Sequence, residues 1–352
     1  MATRQSSARR CIFAAGLALL ATAADAQTVA ACRHEADSTR RLACYDRLFG
    51  EPEHAVGSEI LPPDVSGAPA GSGLLPPDAS TPLSVFWELE PGDKRGPFIV
   101  RTYQPNFLLP VHYTSNINRH PFSPTHPGTD GQNHYRRQEA KLQISLRAKM
   151  AENVLLPHAD LWFAYTQRSL WQVWNRRDSA PFRSTDYQPE AIYVVPVPRS
   201  LGTLPADWRL RMVQLGLAHQ SNGQSDPLSR SWNYVYAGAA FERGDFLLQV
   251  RGNHRLQEGN GDDNPDLTRY IGDTEITASW LPGPSTASLT WRSNRKSLSR
   301  GSLQADWTYP VSREQPTGLR WYVQLFAGYG ETLLDYNRRQ ASIGLGLTLF
   351  QF

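Results

Sequence analysis

The chain has 352 residues and a formal net charge of +3, with ten Trp, fourteen Tyr and only three Cys. So small a charge, with no Lys/Arg run interleaved with aromatics, excludes a surface built to track nucleic-acid phosphates. Mean hydropathy is −0.47 and no apolar run reaches the roughly 18 residues of a spanning helix, which leaves a soluble β protein or a barrel whose alternating strands average out their hydrophobicity.

Arg4, Arg9 and Arg10 precede a short apolar run from Cys11 to Ala24, and Ala24-Asp25-Ala26 has the small-x-small form of a cleavage site. This pattern predicts a signal peptide over 1–26 and a mature chain from Gln27. Cys11 would leave with it, and no lipobox surrounds that cysteine. Residues 27–50 read as helical and carry Cys32 and Cys44. In an exported protein these two are expected to form one disulfide, stapling a segment too short for a core of its own. Residues 51–82 are rich in Pro, Gly, Ser and Ala and repeat Leu-Pro-Pro-Asp at 61–64 and 75–78. They read as an extended, solvated linker.

From Pro82 the texture changes to short alternating segments. The clearest is Ala140 to Met150, where Ala140, Leu142, Ile144, Leu146, Ala148 and Met150 share one face. Lys141, Gln143, Ser145, Arg147 and Lys149 share the other. Its length suits a transmembrane β-strand with a charged lumen face and an apolar lipid face. Further strands are expected at 97–104, 107–115, 160–172, 190–199, 208–221, 231–240, 244–253, 268–280, 285–293, 302–310 and 319–329. The last runs from Ser342 to Phe352. Trp171, Trp174, Trp208, Trp280, Trp291, Trp307, Trp321 and Tyr322 stand near strand ends, where an interfacial girdle would put them. The residues after 82, at roughly 20 to 24 per strand and connection, allow about 10 to 14 strands, closed because lipid offers an open edge no partner. The fold class expected is therefore all-β, a closed antiparallel transmembrane β-barrel.

The most informative stretch is His219 to Asn233. Arg211, Val213, Leu215, Leu217, His219 and Ser221 alternate onto one face of a strand, so a base and a hydroxyl end an apolar stripe. Antiparallel pairing about Asp226 would set Asn233 opposite His219. In a Ser-His-Asn arrangement His219 takes the Ser221 proton and Asn233 accepts from the other ring nitrogen. An uncharged orienter suits a lipid boundary, where a carboxylate costs more to desolvate. The bland alternative is a polar strand end followed by ordinary turn residues. The Gly-x-Ser-x-Gly elbow of other hydrolases is absent.

His219-Gln220-Ser221-Asn222-Gly223, Ser225-Asp226-Pro227 and Ser229-Arg230-Ser231-Trp232-Asn233 resemble the active-site signature of the outer-membrane phospholipase A family. Tyr165 to Ser169, Ser179 to Arg183, Asp262 to Asp266, Gly328 to Glu331 and Asp335 to Asn337 resemble it too. The resemblance covers about residue 85 to the C-terminus. It implies a barrel of twelve strands, calcium-dependent and active as a homodimer, which cleaves acyl esters of phospholipids and lysophospholipids. It assigns Ser221 as nucleophile, His219 as base, Asn233 as orienter and the Gly223 amide as oxyanion donor. Calcium would be held by the Ser229 hydroxyl and the Gln224 carbonyl, with Ser179 supplied by a second subunit, and Asp263 would serve a second calcium position. The family often has Arg where Gln224 stands, but a main-chain ligand survives that exchange. Gln167, on a face with Phe163 and Tyr165, is either a polar contact across a dimer interface or a lumen residue. Two other readings remain at this stage: a porin-like channel using Lys141, Arg147, Lys149 and Arg211 in its lumen, and an adhesion barrel displaying the cysteine-bearing segment.

Overall fold

The protein's structure, a computed structural model, describes residues 80–128, 134–177, 179, 182–294 and 297–349, together with Cys32, Asp37, residues 39–41, Ala43 and Cys44. The expected signal peptide and nearly all of the expected linker lie outside the described residues, as do Phe350 and Phe352. Two compact units divide at Gly73 and Leu74. In the first, Cys32 and Cys44 are disulfide-bonded with their Cα atoms 5.5 Å apart. Asp37 Oδ1 accepts from the amides of Thr39 and Arg40 at 2.9 and 3.0 Å, a side-chain cap at the start of a helical turn.

The second unit is one antiparallel sheet of thirteen strands. They are β1 (Val100–Thr102), β2 (Phe107–Thr114), β3 (Gln138–Ala151), β4 (Asp160–Trp171), β5 (Phe182–Pro196), β6 (Arg209–Ser221), β7 (Ser231–Arg243), β8 (Phe246–Arg255), β9 (Thr274–Trp280), β10 (Thr286–Asn294), β11 (Ser297–Pro310), β12 (Leu319–Gly328) and β13 (Gln340–Leu349). Each of β2 to β13 pairs with its neighbour in sequence, and β13 returns to pair with β2 and close the barrel. The short β1 extends along β3 beyond the end of β2, so the two make one broken stave and the barrel has twelve. Pro110, which has no N–H for the ladder, lies where the β2–β3 register shifts.

The alternation in β3 is the one expected. Lys141, Gln143, Ser145, Arg147 and Lys149 are buried in the lumen, while Ile144, Leu146 and Met150 are exposed on the outside. Other expectations need correction. β5 begins at Phe182, eight residues before the expected start, because its first half points polar side chains into a polar lumen and so lacks an apolar face to reveal it. Residues 268–271 belong to a short helix, Leu267–Ile271, ahead of β9. Tyr322 belongs to the interior rather than the girdle, donating from its hydroxyl to Asp306 Oδ1 at 2.6 Å, whereas Trp321 beside it is exposed. Arg211 does not share the face of Val213: the register shifts between Leu210 and Met212, turning Arg211 inward to Glu90 and Glu242.

The lumen is occupied from both ends. Near the short turns, helix α1 (Pro82–Trp87) packs Leu83 and Trp87 against Trp162, Ile192, Met212 and Leu247. The Arg147 guanidinium lies over the rings of Phe86, Trp87 and Trp162, 3.5 to 4.8 Å from their centroids. Glu88, just after the helix, pairs with Lys149 and Arg101. Near the long loops, the β12–β13 connection folds inward. Its Glu331 meets Lys141 and His112, each at 2.9 Å, and its Asp335 meets Arg183, which also binds Glu139. Leu333 and Tyr336 from the same connection pack against Trp232 and Tyr234 of β7. That packing fixes which face of β7 looks inward, and so points Asn233 out.

Candidate active site

On β6, Val213, Leu215, Leu217 and His219 are exposed on the outer wall, while Met212 and Ala218 are buried inside. The inward side of the hairpin is crowded. Gly216 pairs with Tyr236, and a Cβ on Gly216 would come within 2.1 Å of the Tyr236 ring. Trp232 and Tyr234 stack with centroids 4.0 Å apart. Large rings on one face of the hairpin leave its polar residues to the other.

His219 and Asn233 are directly paired across β6 and β7. His219 Nδ1 lies 2.8 Å from Asn233 Oδ1. An amide oxygen only accepts, so Nδ1 carries the proton and the Nε2 lone pair is free to act as a base. Ser221 is half-buried on the same face of β6. Among the described residues its hydroxyl has no hydrogen-bond partner within 3.5 Å; catalytic hydrogen bonds are commonly long before substrate binds. The Asn233 amide also donates from Nδ2 to Glu258 Oε1 at 2.7 Å, a contact that no sequence spacing signals.

The turn after Ser221 is held by Asn222. Its buried side chain donates to the Leu228 carbonyl at 2.7 Å and accepts from the amides of Arg230 and Gln224 at 2.9 and 3.3 Å. Gly223 has a φ of +61°, and a Cβ there would lie 2.9 Å from the Tyr187 ring, so position 223 favours glycine on both counts. Gln224 reaches the Arg183 carbonyl at 3.5 Å. Ser229 Oγ donates to Asp263 Oδ2 at 2.5 Å, and Ser231 N donates to Asn264 Oδ1 at 3.0 Å, so the β8–β9 connection is bound to the β6–β7 turn. Ser179 is exposed in the β4–β5 connection, its carbonyl accepting from Trp171 Nε1, and no hydrogen bond joins it to Ser229 or Asp263 among the described residues.

His126, from the β2–β3 connection, completes a cluster that sequence reading missed. Its Nε2 lies 3.2 Å from Asp226 Oδ1 and 3.8 Å from Asp263 Oδ1. One ligand atom from each of the three lies within 4.8 Å of the others, close enough to converge on a cation. His126 is 100 residues from Asp226 in sequence, and no local spacing signals the approach. Gln167 shares the outer face of β4 with Phe163, where its Oε1 accepts from the Tyr165 hydroxyl at 3.1 Å.

Known proteins resemble both the sequence and the fold. The family model described as Phospholipase A1 matches residues 83–349. A relative from Neisseria meningitidis serogroup B is 38% identical over 371 residues, which take in 96% of this chain and 94% of that protein. Phospholipase A1 of Escherichia coli K12 is 34% identical over 253 residues, covering 72% of this chain and 82% of that protein. Among solved structures, the calcium-bound dimer of the Salmonella typhi outer-membrane phospholipase superposes with a TM-score of 0.64 at 33% identity, covering 74% of this chain and 95% of that one. Outer membrane phospholipase A from Escherichia coli gives 0.63 at 33% identity, covering 72% and 95%. This chain belongs to the phospholipase A1 family of outer-membrane phospholipases: it is a membrane-integral barrel enzyme that hydrolyses phospholipids.

Proposed function

We propose that the hydrolysis runs through a Ser221–His219–Asn233 triad on the outer wall of the barrel. The observation that carries this reading is the 2.8 Å contact between His219 Nδ1 and Asn233 Oδ1, on the face and at the strand end that Ser221 shares. His219 Nε2 takes the Ser221 proton as Oγ attacks the ester carbonyl carbon of a phospholipid or lysophospholipid. The Gly223 amide donates to the oxyanion. His219 then returns the proton to the leaving alcohol oxygen, giving an acyl-Ser221 ester that water hydrolyses by the same base in reverse order. Because Val213, Leu215 and Leu217 lead up to the pair, an acyl chain can lie along the outer wall without leaving the bilayer. The same site serves A1 and A2 ester positions.

The oxygen donors suit calcium: the Asp226 and Asp263 carboxylates and the Ser229 hydroxyl are hard ligands on the β6–β7 turn and the β8–β9 connection, with the His126 nitrogen as the one soft member of the cluster. The Ser229 hydroxyl and Gln224 carbonyl would hold the catalytic ion, with Ser179 of the partner subunit, and Asp263 would hold a second ion. When bound, calcium adds positive charge and a polarised water to oxyanion stabilisation. A site divided between two chains makes the homodimer the active form and the monomer the resting one, so activity rises with protein density in the membrane and falls with chelator. Residues 1–26 serve as a cleaved signal peptide, and 27–50 and 51–82 as a disulfide-linked segment and linker ahead of the barrel at 83–352.

The test is Ser221→Ala and His219→Ala in detergent with calcium. Both should fold as barrels and lose acyl hydrolysis, and wild-type turnover in either would overturn the triad. A sulfonyl fluoride should label Ser221 alone, and only with calcium present.

A further inference from the structure

The triad does not end at Asn233. Its side-chain amide is held at both ends: Oδ1 faces His219 Nδ1 at 2.8 Å, and Nδ2 donates to Glu258 Oε1 at 2.7 Å. Glu258 lies just past β8, where the Leu256 amide donates to the Asn233 carbonyl at 2.8 Å and brings the chain back alongside the orienter. The other carboxylate oxygen of Glu258 lies 3.5 Å from Arg255 Nη2, which also binds Asp262 Oδ1 at 2.7 Å. Arg255 Nη1 donates to the Asn264 carbonyl at 2.7 Å. The Glu258 side chain is 14% exposed.

An asparagine amide has an accepting end and a donating end of nearly equal shape. Rotated by half a turn, Asn233 would offer N–H to His219 Nδ1. That nitrogen would then have to accept, the ring proton would move to Nε2, and His219 could no longer take the Ser221 proton. A triad oriented by a carboxylate does not face this ambiguity, but one oriented by an amide does. An ionised carboxylate accepts and cannot donate, so Glu258 discriminates between the two ends of Asn233. Arg255 balances its charge, which lowers the cost of keeping a carboxylate near the lipid boundary.

We propose that Glu258 is a positioning residue of this enzyme, selecting the Asn233 rotamer and through it the reactive tautomer of His219. The inference rests on the Ser221–His219–Asn233 reading above. Glu258 touches neither substrate nor the reacting atoms, and its effect is exerted wholly through Asn233.

The experiment is a double-mutant cycle on the full-length enzyme in calcium-containing detergent, with far-UV circular dichroism as the folding control. Glu258→Ala should lower kcat roughly 10- to 100-fold, the range seen for outer-shell partners that orient metal-ligating histidines, and leave KM near the wild-type value. Glu258→Gln, whose amide donates as well as accepts, no longer discriminates between the two ends of Asn233 and should show most of the same loss. In an Asn233→Ala background the Glu258→Ala change should cost nothing further, because its target is gone. Wild-type kcat in Glu258→Ala, or a loss that simply adds to that of Asn233→Ala, overturns the role of Glu258 while the triad stands. Turnover in Ser221→Ala overturns the triad and this inference together. A Glu258→Ala protein that fails to fold passes the decision to Glu258→Gln, a change of nearly equal shape that keeps an acceptor but adds a donor. Loss of kcat with KM near the wild-type value supports the proposal, and wild-type kcat overturns it.

Discussion

Ser229 and Asp263, on different connections of the barrel, are joined by a 2.5 Å hydrogen bond from Oγ to Oδ2. The bond places a neutral oxygen and a carboxylate beside the turn that carries Gly223, where a divalent cation would add most to oxyanion stabilisation. Ser229→Ala should raise the calcium concentration needed for half-maximal hydrolysis by roughly tenfold, as loss of a metal partner does elsewhere. Titration of activity against free calcium checks this; an unchanged midpoint would remove Ser229 from the ligand set.

Gly223→Ala tests the oxyanion donor. The positive φ and the nearby Tyr187 ring both oppose a side chain, so the turn must shift and carry the amide with it. Removal of one such donor costs about 100-fold or more in kcat. Steady-state kinetics on a soluble ester should show that loss with KM little altered.

Gly216→Ala should destabilise the barrel without touching the outer wall. The added methyl meets the Tyr236 ring, whose hydroxyl is anchored to Glu190 Oε2 at 3.0 Å. Overpacking of this kind costs about 1–3 kcal/mol. Denaturant unfolding in detergent would show a lowered midpoint, and activity per folded molecule should be nearly retained.

Glu331 sets the acid limit of the loop that closes the barrel mouth. Burial pushes its carboxyl upward, but Lys141 and His112 outweigh that and hold it well below the ordinary carboxylate range. A depressed folded pKa stabilises at pH above the unfolded value, about 4.3 for Glu, and the contribution fades as pH falls below that value through the folded one. Glu331→Gln leaves the buried Lys141 ammonium without its counter-charge and should cost roughly 3–5 kcal/mol at neutral pH. The gap from wild type, followed by unfolding at a series of pH values, should stay constant down to the ordinary carboxylate range and narrow only below it.

The porin-like alternative fares poorly against the occupied interior. α1 and the inward-folded β12–β13 connection occupy the lumen from its two ends, and Lys141, Arg147, Lys149 and Arg211 are engaged with partners rather than lining a channel. Planar bilayers containing the protein should show no stable conductance steps; persistent ones would reopen that reading.

The alternation in β3 and the stripe Val213–Leu215–Leu217 were legible in the sequence because a strand's side chains point to opposite faces with a period of two, whatever surrounds it. The same rule, with pairing about Asp226, is enough to set His219 across from Asn233. The rule fails at Arg211, where a bulge resets the parity, and in the first half of β5, where a polar lumen gives no apolar face to detect. His126 joining Asp226 and Asp263, and Glu258 reaching Asn233, depend on how long connections fold over the barrel rim. No periodicity constrains those loops, so their contacts were out of reach.

The sequence by itself determined that His219, Ser221 and Asn233 meet at the end of one hairpin, since pairing and alternation are local and nearly context-free. The stripe Val213–Leu215–Leu217 already pointed that face outward, toward lipid; only the tertiary structure decided what holds it there. That depends on Trp232, Tyr234 and Tyr236 claiming the interior, against the folded-in Leu333 and Tyr336 and across from the space left by Gly216. The third dimension also supplied the carboxylate behind Asn233: the β7–β8 hairpin register brings Leu256 alongside Asn233, but the path of the connection beyond it, which carries Glu258 to the amide, is set by loop packing and not by alternation along either strand.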